Sequence, residues 1–158
     1  MVKQFLLFLI LLSSSYCVKA QNVEGIEDRL RTFYVEYNSS YLYKNDKKMY
    51  HTQDSLVQKY CTKLFFREYI KNIRINGRGW DDFMGLVSSE DLDIIKKTLC
   101  ICKIGNKRYK VSYQILDSDI NHKPVKETVL ILLDICIEND TYKIDRIVSF
   151  DVVKKSGY

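Results

Sequence analysis

The side chain whose setting is most at odds with its chemistry is Asp134. It stands within Val129-Leu130-Ile131-Leu132-Leu133-Asp134-Ile135-Cys136-Ile137, an almost wholly apolar stretch. An acid buried there must be paired, or desolvation must raise its pKa. The plainer expectation is an acid at a bulge or on a solvated patch. Twelve tyrosines supply phenol groups, Tyr34, Tyr37 and Tyr113 among them, although tyrosine more often fills core and rim than catalyses.

Beyond the first twenty residues the cysteines are Cys61, Cys100, Cys102 and Cys136. Cys100 and Cys102 are two apart and would share one face of a strand. A cross-strand disulfide from one of them to Cys136 is geometrically open, and buried free thiols are the competing expectation. Zinc is not expected. A structural site wants four nitrogen or sulfur ligands, usually in two close pairs, and here Cys100-Ile101-Cys102 is one pair while Cys61, Cys136, His51 and His122 are isolated. No histidine lies beside a cysteine or serine in a nucleophile arrangement. Gly77-Arg78-Gly79 lacks the Gly-Lys-Ser/Thr ending of a phosphate loop. The expectation is therefore no metal and no cofactor.

A second group of chemistry-bearing residues is Trp80-Asp81-Asp82-Phe83, an irregular acidic-aromatic segment flanked by Gly77, Gly79 and Gly85. Loops of this kind on a rigid scaffold often carry binding function. Nucleic-acid binding is not expected. Lys44, Lys47 and Lys48 form one basic cluster and Lys103, Lys107, Arg108 and Lys110 another, but 20 acids dilute 25 cations. A nucleic-acid footprint needs its cations gathered on one surface.

The chain has 158 residues, 46% apolar and 13% aromatic, with one proline, which fits a single globular domain. Met1 to Gln4 is a short basic start, and Phe5 to Leu12 is an apolar run too short to span a bilayer. Val18-Lys19-Ala20 then gives a small-residue pattern ahead of Gln21. This is the plan of a secretory signal peptide cleaved after Ala20. The protein is thus expected to be exported, periplasmic or extracellular, with no transmembrane segment, residues 21–158 forming one domain with a charged tail. A lipid anchor on Cys17 is the less favoured alternative, because Tyr16 stands where a small residue is wanted. Loss of Lys3 and Lys19 lowers the formal charge from +5 to +3, which is ordinary solubility. Asn38-Ser39-Ser40 and Asn139-Asp140-Thr141 fit the N-glycosylation pattern.

Periodicity supplies the elements that must hold these groups. Ile26, Leu30, Phe33, Tyr34, Tyr37 and Tyr41 form one helical stripe, predicting an amphipathic helix over residues 21–43. Lys44 to Lys48 reads as a polar loop, and a second helix is expected from near Thr52. Beyond Cys61-Thr62 the apolar residues spread over most of the circumference, so that helix is either covered on two sides or broken there. Regular spacing disappears from Arg74 to Ser89. Ser88-Ser89-Glu90-Asp91 then has the shape of a capping box leading a short helical turn into Leu92 and Ile95.

Strands follow. Residues 98–104 are linked by a Gly105-Asn106 hairpin turn to residues 107–116, where Tyr109, Val111, Tyr113 and Ile115 alternate with Arg108, Lys110, Ser112 and Gln114. Residues 125–138 are apolar on both faces, as in a central strand covered on each side. After Asn139-Asp140, Tyr142, Ile144, Arg146 and Val148 alternate with Lys143, Asp145 and Ile147, and residues from Asp151 onward read as tail. Helices first and then strands joined by short turns give the α+β class, with N-terminal helices packed on an antiparallel sheet of about four strands.

Three stretches, in this order, carry a family resemblance: Leu30-Arg31-Thr32-Phe33-Tyr34 with Tyr37, Tyr60-Cys61-Thr62-Lys63-Leu64 at the helix break, and Tyr142-Lys143-Ile144-Asp145-Arg146-Ile147. Together they resemble the cone-shaped α+β fold of the nuclear transport factor 2-like superfamily. More narrowly, they resemble its small exported bacterial proteins classed as a domain of unknown function. Asp81-Asp82-Phe83-Met84 with Glu90-Asp91 is similar to a further element of that group, usually Asp-Pro-Phe-Leu and then Gln-Asp, with Pro and Gln replaced here.

The resemblance implies a curved sheet capped by helices around a cavity. There Trp80, Asp81, Asp82 and Phe83 are expected to line or gate the mouth, or to plug the open end of the core, with Tyr34, Tyr37 and Tyr113 as lining. The function it implies is a non-catalytic binding domain for a small molecule or a protein partner in or near that cavity, with homodimerisation through the sheet as a further arrangement. The alternative is a small isomerase- or dehydratase-like enzyme. Enzymes of this architecture pair a buried carboxylate with a tyrosine, one removing a proton and the other stabilising an oxyanion. Asp82, Asp134, Tyr34, Tyr37 and Tyr113 are the groups available for it.

Overall fold

A computed structural model of the chain describes residues 25–78, 92–118 and 123–154. The first helix, α1 (Ile26–Ser40), buries Leu30, Phe33, Tyr34 and Tyr37, the stripe expected from the sequence. Asn38 and Ser40 are buried as well, because their side chains donate back to the carbonyls of Tyr34 at 2.7 Å and Tyr37 at 2.6 Å. Asn38 is thereby withdrawn from the surface that a glycan would need.

Helix α2 (Asp46–Tyr60) begins well ahead of Thr52. The Asn45 side chain caps it by accepting from the Lys48 N–H at 3.0 Å, satisfying a donor that the first turn leaves open. The lysines of that turn face solvent, so hydrophobic spacing could not reveal it. On its inner face Gln53 is buried, and Nε2 finds no hydrogen-bond partner among the described residues. An unmet buried donor costs about 1–3 kcal/mol. Gln53→Met is therefore expected to raise the thermal midpoint by a few degrees, and a fall in calorimetry would contradict this assignment.

The chain breaks at Cys61 and Thr62, as the sequence suggested, and helix α3 (Lys63–Asn76) follows. Extended backbone lets Cys61 form a parallel bridge with Ile144, while the Thr62 N–H donates to the Ile144 carbonyl at 2.9 Å. Thr62 Oγ1 then accepts from the Phe65 N–H at 3.2 Å and caps α3. Thr62→Ala should cost about 1 kcal/mol in urea denaturation, the usual worth of such a cap, because the backbone bond to Ile144 survives the change. Gly77 closes α3 at φ +77°, a left-handed position natural to glycine. Helix α4 (Leu92–Thr98) carries the expected Leu92 and a fully buried Ile95.

The four strands are β1 (Cys100–Lys103), β2 (Arg108–Ser118), β3 (Pro124–Glu138) and β4 (Thr141–Lys154), in the order β1-β2-β3-β4 and antiparallel throughout. The sheet is open and the fold class is α+β. Tyr109, Val111, Tyr113 and Ile115 of β2 are buried beneath the helices, paired with Leu133, Ile131, Val129 and Glu127 of β3. Strand β3 is interior to the sheet, but among the described residues helices cover one of its faces. Leu130 and Leu132 on the other face are half-exposed, so the expectation of cover on both sides is corrected.

The β1–β2 connection is wider than the two residues Gly105-Asn106, since the N–H groups of Ile104 and Gly105 both donate to the Arg108 carbonyl, at 2.9 and 3.2 Å. Asn139 and Asp140 join β3 to β4 with φ of 51° and 56°, the twist-matched geometry of a tight hairpin. Strand β4 is longer than its sequence suggested and includes Asp151. It is also out of phase with simple alternation. The register with β3 skips Val148 and again Asp145, so Arg146 stands on the opposite face from Ile144, not on the same one. Each extra residue bends the strand locally.

The four cysteines among the described residues, Cys61, Cys100, Cys102 and Cys136, are free. The disulfide to Cys136 fails on geometry, because β2 lies between β1 and β3. Two strand spacings put the backbones about 10 Å apart, beyond the reach of a disulfide. At the centre of the core, the ring of Phe33 lies 5.2, 5.5 and 5.4 Å from those of Tyr34, Tyr37 and Tyr60, and Tyr34 lies 6.4 Å from Tyr113.

Candidate functional site

Trp80, Asp81, Asp82 and Phe83 lie outside the described residues. Tyr34, Tyr37 and Tyr113 are brought together, each at most 1% exposed, as the aromatic centre of the core. Asp134 is not with them. It occupies the other face of the sheet, where Arg108 donates from Nε at 2.8 Å and from its terminal nitrogen at 3.1 Å, and Arg146 donates from Nε at 2.7 Å. The second β-bulge is what delivers Arg146 to this point. Hydrogen bonds from Arg108, opposed by burial and reinforced by Arg146, hold the carboxyl down at about 2. Such a carboxylate is a poor proton acceptor near neutral pH, so pairing with a catalytic tyrosine is not what Asp134 does.

The buried acid on the tyrosine-bearing face is instead Glu127, 4% exposed and opposite Ile115. Sequence reading passed over it, although it shares the parity of Val129, Ile131 and Leu133. Cys61 is buried, and desolvation pushes its thiol far above the ordinary range, which makes it inert. Among the described residues no three His, Cys, Asp or Glu side chains gather as metal ligands.

At the end of α2, cations meet carbonyls. Arg29 donates from Nε to the Tyr142 carbonyl at 2.8 Å and lies 4.7 Å over the Tyr60 ring, while Lys143 donates to the Lys59 carbonyl. Helix C-termini favour such cations. Burial, then the nearby Arg29, lowers the Lys143 pKa. The adjoining cavity, lined by Ile26, Leu30, Tyr60, Ile135 and Ile144, has about 10 Å³, room for one water.

The outer side of α3 is different in kind. Gln58 of α2 and Lys63, Phe66, Arg67, Ile70, Lys71 and Arg74 of α3 line an open groove of about 600 Å³. Steps of four, four and three put the cations on one side of the helix, with Phe66 and Ile70 as the apolar wall. None of the α3 residues is buried, so the expectation of cover on two sides does not hold. Lys71 pairs with Glu68 at 3.5 Å. Lys63, Arg67 and Arg74 have no side-chain acceptor among the described residues.

The helix is nevertheless fixed at its far end. Arg78 grips Asp54 of α2 through both terminal guanidinium nitrogens at 3.0 and 2.6 Å, Tyr69 donates to the same carboxylate at 3.3 Å, and Arg78 lies 4.6 Å over the Tyr50 ring. A shallower hollow of about 420 Å³ at the β1–β2 hairpin is lined by Ile104, Gly105, Asn106, Lys107, Arg108 and Asp134, but Arg108 and Asp134 there already pair with each other. Sequence reading missed the α3 groove. Its signal was the spacing of Lys63, Arg67, Lys71 and Arg74 with Glu68 as the lone acid among them.

The chain is similar in fold to a crystal structure of a protein of unknown function from Bacteroides thetaiotaomicron VPI-5482, with a TM-score of 0.56 and 20% identity over 87% of this chain and 96% of that chain. At that identity the likeness speaks to the fold alone. No family model matches the chain, and no curated protein matches it. No described helix is long and apolar enough to cross a membrane.

Proposed function

We propose that the protein is an exported, non-catalytic binding domain and that the groove along α3 holds an anionic amphiphile. One observation carries this reading: three cations without side-chain acceptors among the described residues stand beside an apolar wall, in a groove of about 600 Å³, a volume typical of small-molecule sites. A carboxylate or phosphate head would meet Lys63, Arg67 and Arg74, and an aliphatic tail would lie along Phe66 and Ile70. In the same reading the fold is a nuclear transport factor 2-like cone, supported by the helix-then-sheet order and the bends at the two bulges.

Titration calorimetry with dodecanoate tests the groove. Saturable binding is expected, weakened tenfold or more (about 1.4 kcal/mol or more) by Phe66→Asp. Absence of heat with the wild-type chain, or unchanged binding by the variant, contradicts it.

The second reading, an isomerase- or dehydratase-like enzyme, is favoured by the buried Glu127 on the face of Tyr113. Turnover of an enolisable ketone that disappears in Glu127→Gln would establish it. Equal rates in both proteins would discard it.

A further inference from the structure

We infer that α3 docks on the surface of an anionic lipid bilayer. This rests on the binding-domain reading and narrows it to one occupant. At about 100° per residue, Lys63, Arg74, Arg67 and Lys71 span about 80° of the helix circumference. Phe66 and Ile70 flank that band on the groove side. On its other flank stand Leu64 and Ile75, 64% and 68% exposed and outside the groove. They are three turns apart, about 16 Å along the axis.

A ligand lying in the groove covers Phe66 and Ile70 and leaves Leu64 and Ile75 in water. An acidic peptide helix seated there does the same. A bilayer surface covers both flanks, with the cations at the headgroups and the aliphatic side chains at the acyl boundary, as for helices that lie in the membrane interface.

The charge pattern points the same way. Lys63, Arg67 and Lys71 follow one another at i, i+4, where like charges weaken a helix, and Glu68 is the one acid within α3. An anionic surface relieves that repulsion. The formal charge of +3 that remains once Lys3 and Lys19 leave with the leader adds attraction over a Debye length. At the same end of α3, the Glu138 carboxylate accepts from the Lys63 N–H at 3.5 Å, and the neighbouring Ile137, 65% exposed, adds a third aliphatic side chain.

Co-sedimentation of the purified chain with vesicles tests this, using phosphatidylcholine with a third phosphatidylglycerol against phosphatidylcholine alone. Binding is expected to the anionic vesicles, to fall steeply with salt, and to be negligible on the neutral ones. Arg67→Glu with Arg74→Glu should weaken it about a hundredfold or more. Leu64→Ser with Ile75→Ser should weaken it about tenfold while leaving dodecanoate binding unchanged. Circular dichroism checks that both variants fold, as exposed substitutions should.

Wild-type affinity that ignores phosphatidylglycerol, or an unaffected Leu64/Ile75 variant, overturns the inference. If dodecanoate still binds the groove in that case, the binding-domain reading survives and the membrane is not its partner. Capture of an acidic amphipathic peptide without vesicle binding likewise overturns docking and replaces the bilayer with a protein. Loss of both ligands and vesicles removes the two claims together.

Discussion

Phe33→Ala is expected to lower the stability of the protein by about 3–5 kcal/mol. The Phe33 side chain is fully buried, with three tyrosine rings between 5.2 and 5.5 Å away. Its removal forfeits apolar burial, and it leaves a void that neither α1 nor the sheet can readily close, since Tyr34 and Tyr37 are themselves held in place by neighbours. Against a net stability of about 5–15 kcal/mol for a domain, this is enough to populate the unfolded state measurably. Urea denaturation followed by tyrosine fluorescence reads it as a lower midpoint at constant slope. A loss under about 1 kcal/mol would mean that Phe33 faces solvent-filled space, and the picture of a packed aromatic centre would be wrong.

The second large effect is on the opposite face of the sheet. Asp134→Ala is expected to cost about 1–3 kcal/mol at neutral pH, the range for hydrogen bonds to charged groups. It should not reach the 3–5 kcal/mol of a fully buried pair, because Arg108 and Arg146 are 40% and 65% exposed along their side chains and can turn to water when the carboxylate is gone. The effect has a pH signature. Folding holds the Asp134 carboxyl at about 2, below the ordinary 3.8, so its contribution is fully present above about pH 4 and is lost as pH falls through about 2. Wild type and variant should therefore differ in urea midpoint at pH 6 and converge toward pH 2. A difference that grows on acidification would contradict the ion pair. Dodecanoate binding should be the same in both proteins, since Asp134 takes no part in the α3 groove.

These two sites also mark where the sequence was legible and where it was not. The stripe from Leu30 to Tyr37 repeats at the helical period and had one plausible burial, so Phe33 could be placed in the core by spacing alone. The Asn139-Asp140 turn was equally readable, since left-handed backbone demands particular residue types, whereas the break at Cys61-Thr62 was one of two alternatives that the apolar spacing left open. The partners of Asp134 were not readable. Arg108 comes from the register of β2 against β3, and Arg146 from the skipped Asp145 in β4; alternation counted along a single strand cannot detect a pairing or a bulge that exists only relative to its neighbour. The start of α2 was hidden because its first turn buries nothing. The α3 groove was hidden for a related reason: apolar residues nearly all round a helix look like an element buried on two sides.

The central claim is that ligands meet this protein on α3. The most direct measurement is backbone amide NMR of the isotopically labelled chain titrated with dodecanoate below its micelle threshold. The account predicts progressive, saturable shifts concentrated between Lys63 and Arg74 and at Gln58, with Tyr34, Tyr37 and Tyr113 unmoved. Shifts centred on those three tyrosines, or no shift in α3 while the ligand binds, would contradict it.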